Sequence, residues 1–198
     1  MSRVDRFDPH ALLETLQRHG VRFVVIGGIA GRLHGSPRMT RDLDICYARD
    51  IEDLDRLATV LAELHVTLRG APPDLSFRPD ARTLRSGLNF TFDTPFGPFD
   101  CLGEASGHTY EILRPNAERA VFEGLDILVT SLDDLMRMKR ASGRPQDLAD
   151  LETLGKLRDV REERGLFGLA EPGSGRKPAA KVTRISRRSP HKRPGKRT

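Results

Sequence analysis

The stretch FVVIGGIAGRLHGSPRMTRDLDI, Phe23 to Ile45, runs apolar into two glycines and resumes as Asp-Leu-Asp-Ile. Its first part reads as a buried strand, Gly27 and Gly28 as a tight turn, IAGRLHG as a short helix and RDLDICY as a second strand. Charges at this density are poor strand formers. Asp42 and Asp44 therefore need a reason beyond folding. Two positions apart on a strand, they leave one face about 6.6 Å apart at ~3.3 Å per residue, while Leu43 and Ile45 turn to the core. At an effective dielectric near 20 their repulsion costs on the order of 2 to 3 kcal/mol. A divalent cation between them reverses that sign.

Working outward, Asp8-Pro9 followed by HALLETLQRHG reads as an N-capped helix stopped by Gly20. Asp50 caps the amphipathic IEDLDRLATVLAEL, and HVTLR is a short strand. The segment 70–87, GAPPDLSFRPDARTLRSG, reads as a long loop of the kind that is commonly functional. LNFTFD and FDCLGE flank TPFGP as a β-hairpin, and LDILVT is a later strand. Ser131 opens the helix LDDLMRMKRAS, Gly143 ends it, and PQDLADLETLGKLRDVREERG is the last helix. The expected fold is α/β (α+β): a mixed sheet flanked by helices, with a helical C-terminal portion.

Composition sets the outer bounds. A chain of 198 residues with 37% hydrophobic residues suits one globular domain. It carries no run near the roughly 20 apolar residues of a membrane span and no apolar signal-peptide centre, so the expectation is a cytoplasmic protein without a membrane partner. Cys46 and Cys101 are too few for a disulfide framework and read as small buried apolar residues. The net charge is +5, but ten of the 33 Lys and Arg lie between Pro172 and Thr198, where there is no carboxylate. The remaining 23 face 28 acidic residues, so the body is near −5. We expect a domain over residues 1–168 and a disordered basic tail over 169–198. Such a tail is either an arm for RNA or DNA phosphates or a solvated extension.

Asp100, between Phe99 and Cys101 in FDCLGE, joins Asp42 and Asp44 if its strand pairs beside theirs. Three carboxylates make a hard oxygen site suited to Mg²⁺, which keeps water and accepts substrate phosphates. A Gly-Gly turn lets phosphate oxygens approach main-chain N–H groups. Phosphates at Gly27-Gly28 and metal at Asp42 and Asp44 together point to a nucleoside triphosphate with bound Mg²⁺.

Gly27-Gly28, Asp42-Leu43-Asp44 and the later Asp100 resemble the signature of the DNA polymerase β-like nucleotidyltransferase superfamily. GGIAGRLHGSPRMTRDLDI and DLMRMKRASGRPQDLADLETL are most similar to the AbiEii-type toxin nucleotidyltransferases of type IV toxin–antitoxin systems and the small proteins around them. The resemblance covers about residues 10 to 160 and excludes the tail. It implies the minimal nucleotidyltransferase fold, two Mg²⁺ ions, and transfer of a nucleoside monophosphate from an NTP to an acceptor hydroxyl with loss of pyrophosphate. In that reading Asp42 and Asp44 hold both metals, Asp100 holds the one that activates the acceptor, and Gly27 and Gly28 contact the triphosphate. Gly28 departs from the commoner Gly-Ser form, so a side-chain hydroxyl contact to phosphate is missing. The toxin branch implies a tRNA or other RNA acceptor and a cognate antitoxin; a small-molecule, aminoglycoside-type acceptor and a non-catalytic nucleotide binder are the rival readings.

Two-metal chemistry still gains from a cation near the pyrophosphate. Lys139 and Arg38 are the candidates, with Arg82 and Arg85 of the long loop placed to close over the nucleotide or meet the acceptor. Each has a plainer reading: Lys139 as a solvated helix end, His34 as a local cap, Asp93 as a turn former rather than a rival third carboxylate, and Asp147 and Asp150 as helix-dipole partners. A Gly-Gly turn or an Asp-Leu-Asp alone is weak. The specificity lies in the combination.

Overall fold

In a computed structural model of the chain, which describes residues 7–72 and 77–165, the first helix begins where its cap demands. Asp8 accepts from the Ala11 amide at 3.1 Å and Pro9 occupies the first turn of α1 (Pro9–Arg18). Gly20, at φ +67°, turns the chain into β1 (Phe23–Val25). Then come α2 (Gly27–Leu33), β2 (Leu43–Tyr47) and α3 (Ile51–Glu63), the last capped by Asp50 on the Asp53 amide. The middle of the chain forms β3 (Thr67–Leu68), α4 (Ala81–Ser86) and the hairpin of β4 (Asn89–Thr94) and β5 (Gly97–Leu102). A small pair, β6 (Glu104–Ala105) and β7 (His108–Thr109), leads to α5 (Tyr110–Leu113). The hairpin of β8 (Glu118–Phe122) and β9 (Leu125–Val129) precedes α6 (Leu132–Ser142) and α7 (Pro145–Glu163).

Among the described residues, seven strands form one mixed sheet in the order β3-β4-β5-β2-β1-β9-β8. β2 lies at its centre, antiparallel to β1 and parallel to β5, with Leu43 opposite Phe99, Asp44 opposite Asp100 and Ile45 opposite Cys101. Leu43, Ile45, Phe99 and Cys101 are fully buried, so the strand period of two turns Asp44 and Asp100 to the other face. Cys46 and Cys101 are buried free thiols, as composition suggests. No helix among the described residues is long and apolar enough to cross a membrane.

The fold departs from the sequence reading in three places. Residues 70–87 are not one long loop: Asp80 accepts from the Thr83 amide at 2.8 Å and caps α4, which carries Arg82 and Arg85. The segment 105–122, unassigned from sequence, completes β6 and supplies β7, α5 and the outer strand β8. Asp42 precedes β2 rather than lying within it. The expected boundary at 168/169 and the basic tail lie outside the described residues.

One buried charge ties the helical layer to the sheet. Asp53, fully buried on α3, accepts from the Arg22 amide at 2.9 Å and from Arg22 Nε at 2.7 Å, just before β1. Asp53→Ala leaves that amide without its acceptor and the Arg22 guanidinium with Asp50 alone, which costs about 2 to 3 kcal/mol. Urea unfolding should show the loss as a lower midpoint at unchanged slope.

Candidate active site

The site starts from close approach. Gly27, at φ +62°, opens α2 directly after β1, and a Cβ there would lie 2.6 Å from the Asp44 carboxyl carbon. A Cβ at Gly28 would lie 2.6 Å from Thr40 Cβ. Both glycines are thus required by side chains pressed against the start of the helix, apart from any room they leave for a ligand. The Ile26 amide donates to the Asp44 carbonyl at 3.0 Å, and the Gly28 amide lies near enough to the Asp44 carboxylate to favour its charged form.

Asp44 keeps some accessible surface, yet its carboxylate is densely surrounded by protein. That burial, followed by the charges of Asp42 and Asp100, pushes its pKa up to about 7, against the Gly28 amide and Arg144, which pull it down. Asp100 is also raised, chiefly by burial, with Arg69 opposing and Asp42 adding to the rise. Arg69 Nη2 lies 2.9 Å from Asp100 Oδ1, but the angle makes this a charge contact without a hydrogen bond. The same guanidinium reaches Asp93 at 3.2 Å and donates to the Phe92 carbonyl at 2.7 Å. Asp42 accepts from the Thr40 hydroxyl.

Three carboxylates this close fit Mg²⁺ in kind, because a hard cation relieves the repulsion that now raises Asp44 and Asp100. They are not gathered into a cage. Among the described residues no three His, Cys, Asp or Glu side chains converge closely enough to hold a metal as they stand, and Asp100 is in contact with Arg69.

Two cavities meet at Gly27. A narrow one lies between Gly28, Arg38, Thr40, Lys139 and Asp150. A larger one of about 420 Å³ is lined by Asp44, Lys139, Arg144, Asn89 and Glu104 together with the apolar Leu102, Leu135 and Met138. An alternating line of charge borders them: Arg144 to Asp147 at 2.7 Å, Asp147 to Lys139 at 3.0 Å, Lys139 to Asp150 at 2.6 Å, and Asp150 to Arg38 at 2.6 Å. Burial pushes Asp147 up, but hydrogen bonds from Arg144 and Lys139 outweigh it and hold the group at about 2.

Of the residues singled out from sequence, Asp42, Asp44 and Asp100 are brought within electrostatic range of one another, beside Gly27 and Gly28. Lys139 and Arg38 do reach the cavities, each paired with α7 carboxylates. Arg82 and Arg85 line neither cavity. His34 is the C-cap residue of α2, the local cap expected of it, and it is buried, with Nε2 meeting the Thr130 carbonyl at 2.7 Å. Asp93 pairs with Arg69, whereas Thr94 shapes the β4–β5 turn by donating to the Gly97 carbonyl at 2.8 Å. Asp147 and Asp150 are partners of Lys139 as well as residues of a helix start.

Sequence reasoning passed over Thr40, Arg69 and Arg144. Arg144 had one legible signal, its place between a helix-stopping glycine and a helix-starting proline. Arg69 had none, because its partner Asp100 is 31 positions away.

No family model matches the chain, and no curated protein matches it. Among solved structures, the lincomycin-bound lincosamide antibiotic adenylyltransferase LnuA aligns with TM-score 0.54 and 13% identity, over 77% of this chain and 99% of that one. A putative nucleotidyltransferase from Thermotoga maritima aligns at 0.48 and 18% identity, over 79% and 91%. The antibiotic-resistance factor ANT(2'')-Ia, with adenylyl-2''-tobramycin, aligns at 0.47 and 15%, over 79% and 96%. At these identities the likeness is one of fold, and on the first of these alignments the seven-stranded sheet with its two C-terminal helices is a nucleotidyltransferase-like fold.

Proposed function

We propose that this chain is an Mg²⁺-dependent nucleotidyltransferase that moves a nucleoside monophosphate from an NTP to an acceptor hydroxyl and releases pyrophosphate. The observation that carries the reading is the β2–β5 register, which sets Asp44 opposite Asp100 beside the Gly27-Gly28 opening of α2, in a nucleotidyltransferase-like fold. Asp42 and Asp44 would hold two metal ions, with Asp100 joining them as Arg69 withdraws. Bound there, the ions would stabilise the entering and leaving oxygens of an in-line displacement.

The chain's own groups divide the remaining work. Main-chain N–H groups at Gly27 and Gly28 meet the phosphates. Lys139 and Arg38 face the same cavity and exchange Asp150 for a phosphate oxygen. Arg144, close enough to Asp44 to lower its pKa, meets the substrate from the larger cavity. Arg82 and Arg85 stand away from both cavities and are left to the acceptor.

For the acceptor, the 420 Å³ cavity beside Asp44 favours a small molecule, with Glu104 placed to meet a cationic group. The ten Lys and Arg after Pro172 favour RNA, a tRNA end in the toxin reading that would bring a cognate antitoxin with it. Removal of residues 172–198 separates the two. An RNA acceptor should show a higher KM at low salt and a flatter salt dependence, whereas a small-molecule acceptor should be served equally by both chains.

Asp44 also links the site to stability. In the metal-free fold it keeps its proton to about pH 7, whereas in the unfolded chain it ionises near the usual carboxylate value of about 4. Its contribution is therefore full below the unfolded value and lost as pH rises through 7. Melting in chelator should show Asp44→Asn level with the parent near pH 4 and more stable at pH 8, by on the order of 4 kcal/mol. The same variant, and Asp42→Asn, should lose transfer of labelled nucleotide; retained transfer in both would refute the assignment.

Mg²⁺ and an NTP together should raise the melting temperature beyond the sum of their separate effects, because each supplies ligands or charge that the other needs. Additive shifts with all four common NTPs would instead indicate a protein that does not assemble a metal–nucleotide site.

A further inference from the structure

We infer that Thr40 is the positioning residue of Asp42, and that position 28 is glycine because Thr40 must stand there. This rests on the nucleotidyltransferase reading and deepens it. The argument begins with space. A Cβ at Gly28 would fall closest to Thr40 Oγ1, then 2.6 Å from Thr40 Cβ and 3.3 Å from Thr40 Cγ2, so the threonine hydroxyl and Cβ occupy the volume that any side chain at 28 would need. Threonine is stiff at χ1. Its Oγ1 and Cβ lie against the start of α2 at Gly28, so the hydroxyl is held between that glycine and Asp42, to whose carboxylate it donates.

The contact matters because Asp42 is the carboxylate least held by the fold. Asp44 lies within β2 beside the start of α2, and Asp100 lies within β5 beside Arg69. Asp42 sits ahead of β2, at the end of the loop from α2, and is repelled by both neighbours. A loop carboxylate under that repulsion swings toward solvent unless a donor holds it. Thr40 supplies the donor and Gly28 supplies the wall that aims it, which couples the glycine turn to the acidic pair through one side chain. The hydroxyl expected to be missing at position 28 is thus present in the cavity, carried by the opposite loop.

The test uses Mn²⁺ as the probe, titrated by calorimetry and by its electron paramagnetic resonance signal, with melting temperature measured for every variant. Thr40→Val keeps the shape and removes the donor; it should weaken Mn²⁺ binding about tenfold, as loss of a ligand-orienting partner does. Thr40→Ser keeps the donor and should restore most of the affinity. Gly28→Ala should reproduce the loss by evicting Thr40, so a folding failure of one variant leaves the other to decide. In an Asp42→Asn background Thr40→Val should cause no further loss. Parent-like affinity in Thr40→Val, equal loss in Thr40→Ser and Thr40→Val, or an undiminished effect in the Asp42→Asn background would each overturn the inference. Parent-like Mn²⁺ binding in Asp42→Asn alone would instead remove the metal reading itself, and this inference with it.

Discussion

The parallel pairing of β2 with β5 is the constraint from which the site follows. Once Leu43, Ile45, Phe99 and Cys101 are committed to the core, the pleat leaves Asp44 and Asp100 side by side on the opposite face, with Asp42 one step beyond. A slip of one residue would bury the carboxylates and expose the apolar set, so the hydrophobic core itself enforces the acidic cluster. The metal-free protein then meets the charge in three ways: a proton on Asp44 up to about pH 7, a guanidinium beside Asp100, and a hydroxyl on Asp42. Each is a partial and replaceable neutralisation, which suits a site that exchanges a cation.

The positive side of the cleft is built on the same economy. Lys139 and Arg38 are held by Asp147 and Asp150, so the fold brings no unpaired buried lysine into the apolar space between α6 and α7. The carboxylates of α7 thereby keep the cations in place near the cavities. Arg144 completes the line from the short segment between the two helices and lines the larger cavity with Asp44. Acidic strand and basic helices are thus two walls of one cleft, joined at Gly27.

Elements whose ends are written in local chemistry were legible in the sequence. Asp8, Asp50 and Ser131 cap as their side chains suggest, Gly143 takes the left-handed conformation that ends α6, and the β4–β5 hairpin falls where alternation and turn residues place it. Asp100 could be set beside Asp44 because the two strands share a period. The rest depended on partners far away in the chain. α4 is six residues long and its cap sits inside a run of prolines and charges. β8 has too few apolar residues to announce a strand and is held by its pairing with β9. Arg69 and Arg38 acquire meaning only from carboxylates that folding brings to them, which no local pattern encodes. His34 caps α2 as its place beside a glycine suggests, but its burial against the strand end at Thr130 was not legible for the same reason.

The attachment of α7 has a dynamic consequence. Of its 19 residues only Asp147 and Leu154 are buried, so ion pairs at its first turns and a thin apolar seam fasten it to the body. Such a helix forms a cooperative unit of its own, opening at a lower free energy than the sheet beneath it. Rising ionic strength weakens its exposed pairs first. Amide exchange in α7 should therefore report salt while the β2–β5 amides do not, making this helix the compliant wall of an otherwise rigid cleft.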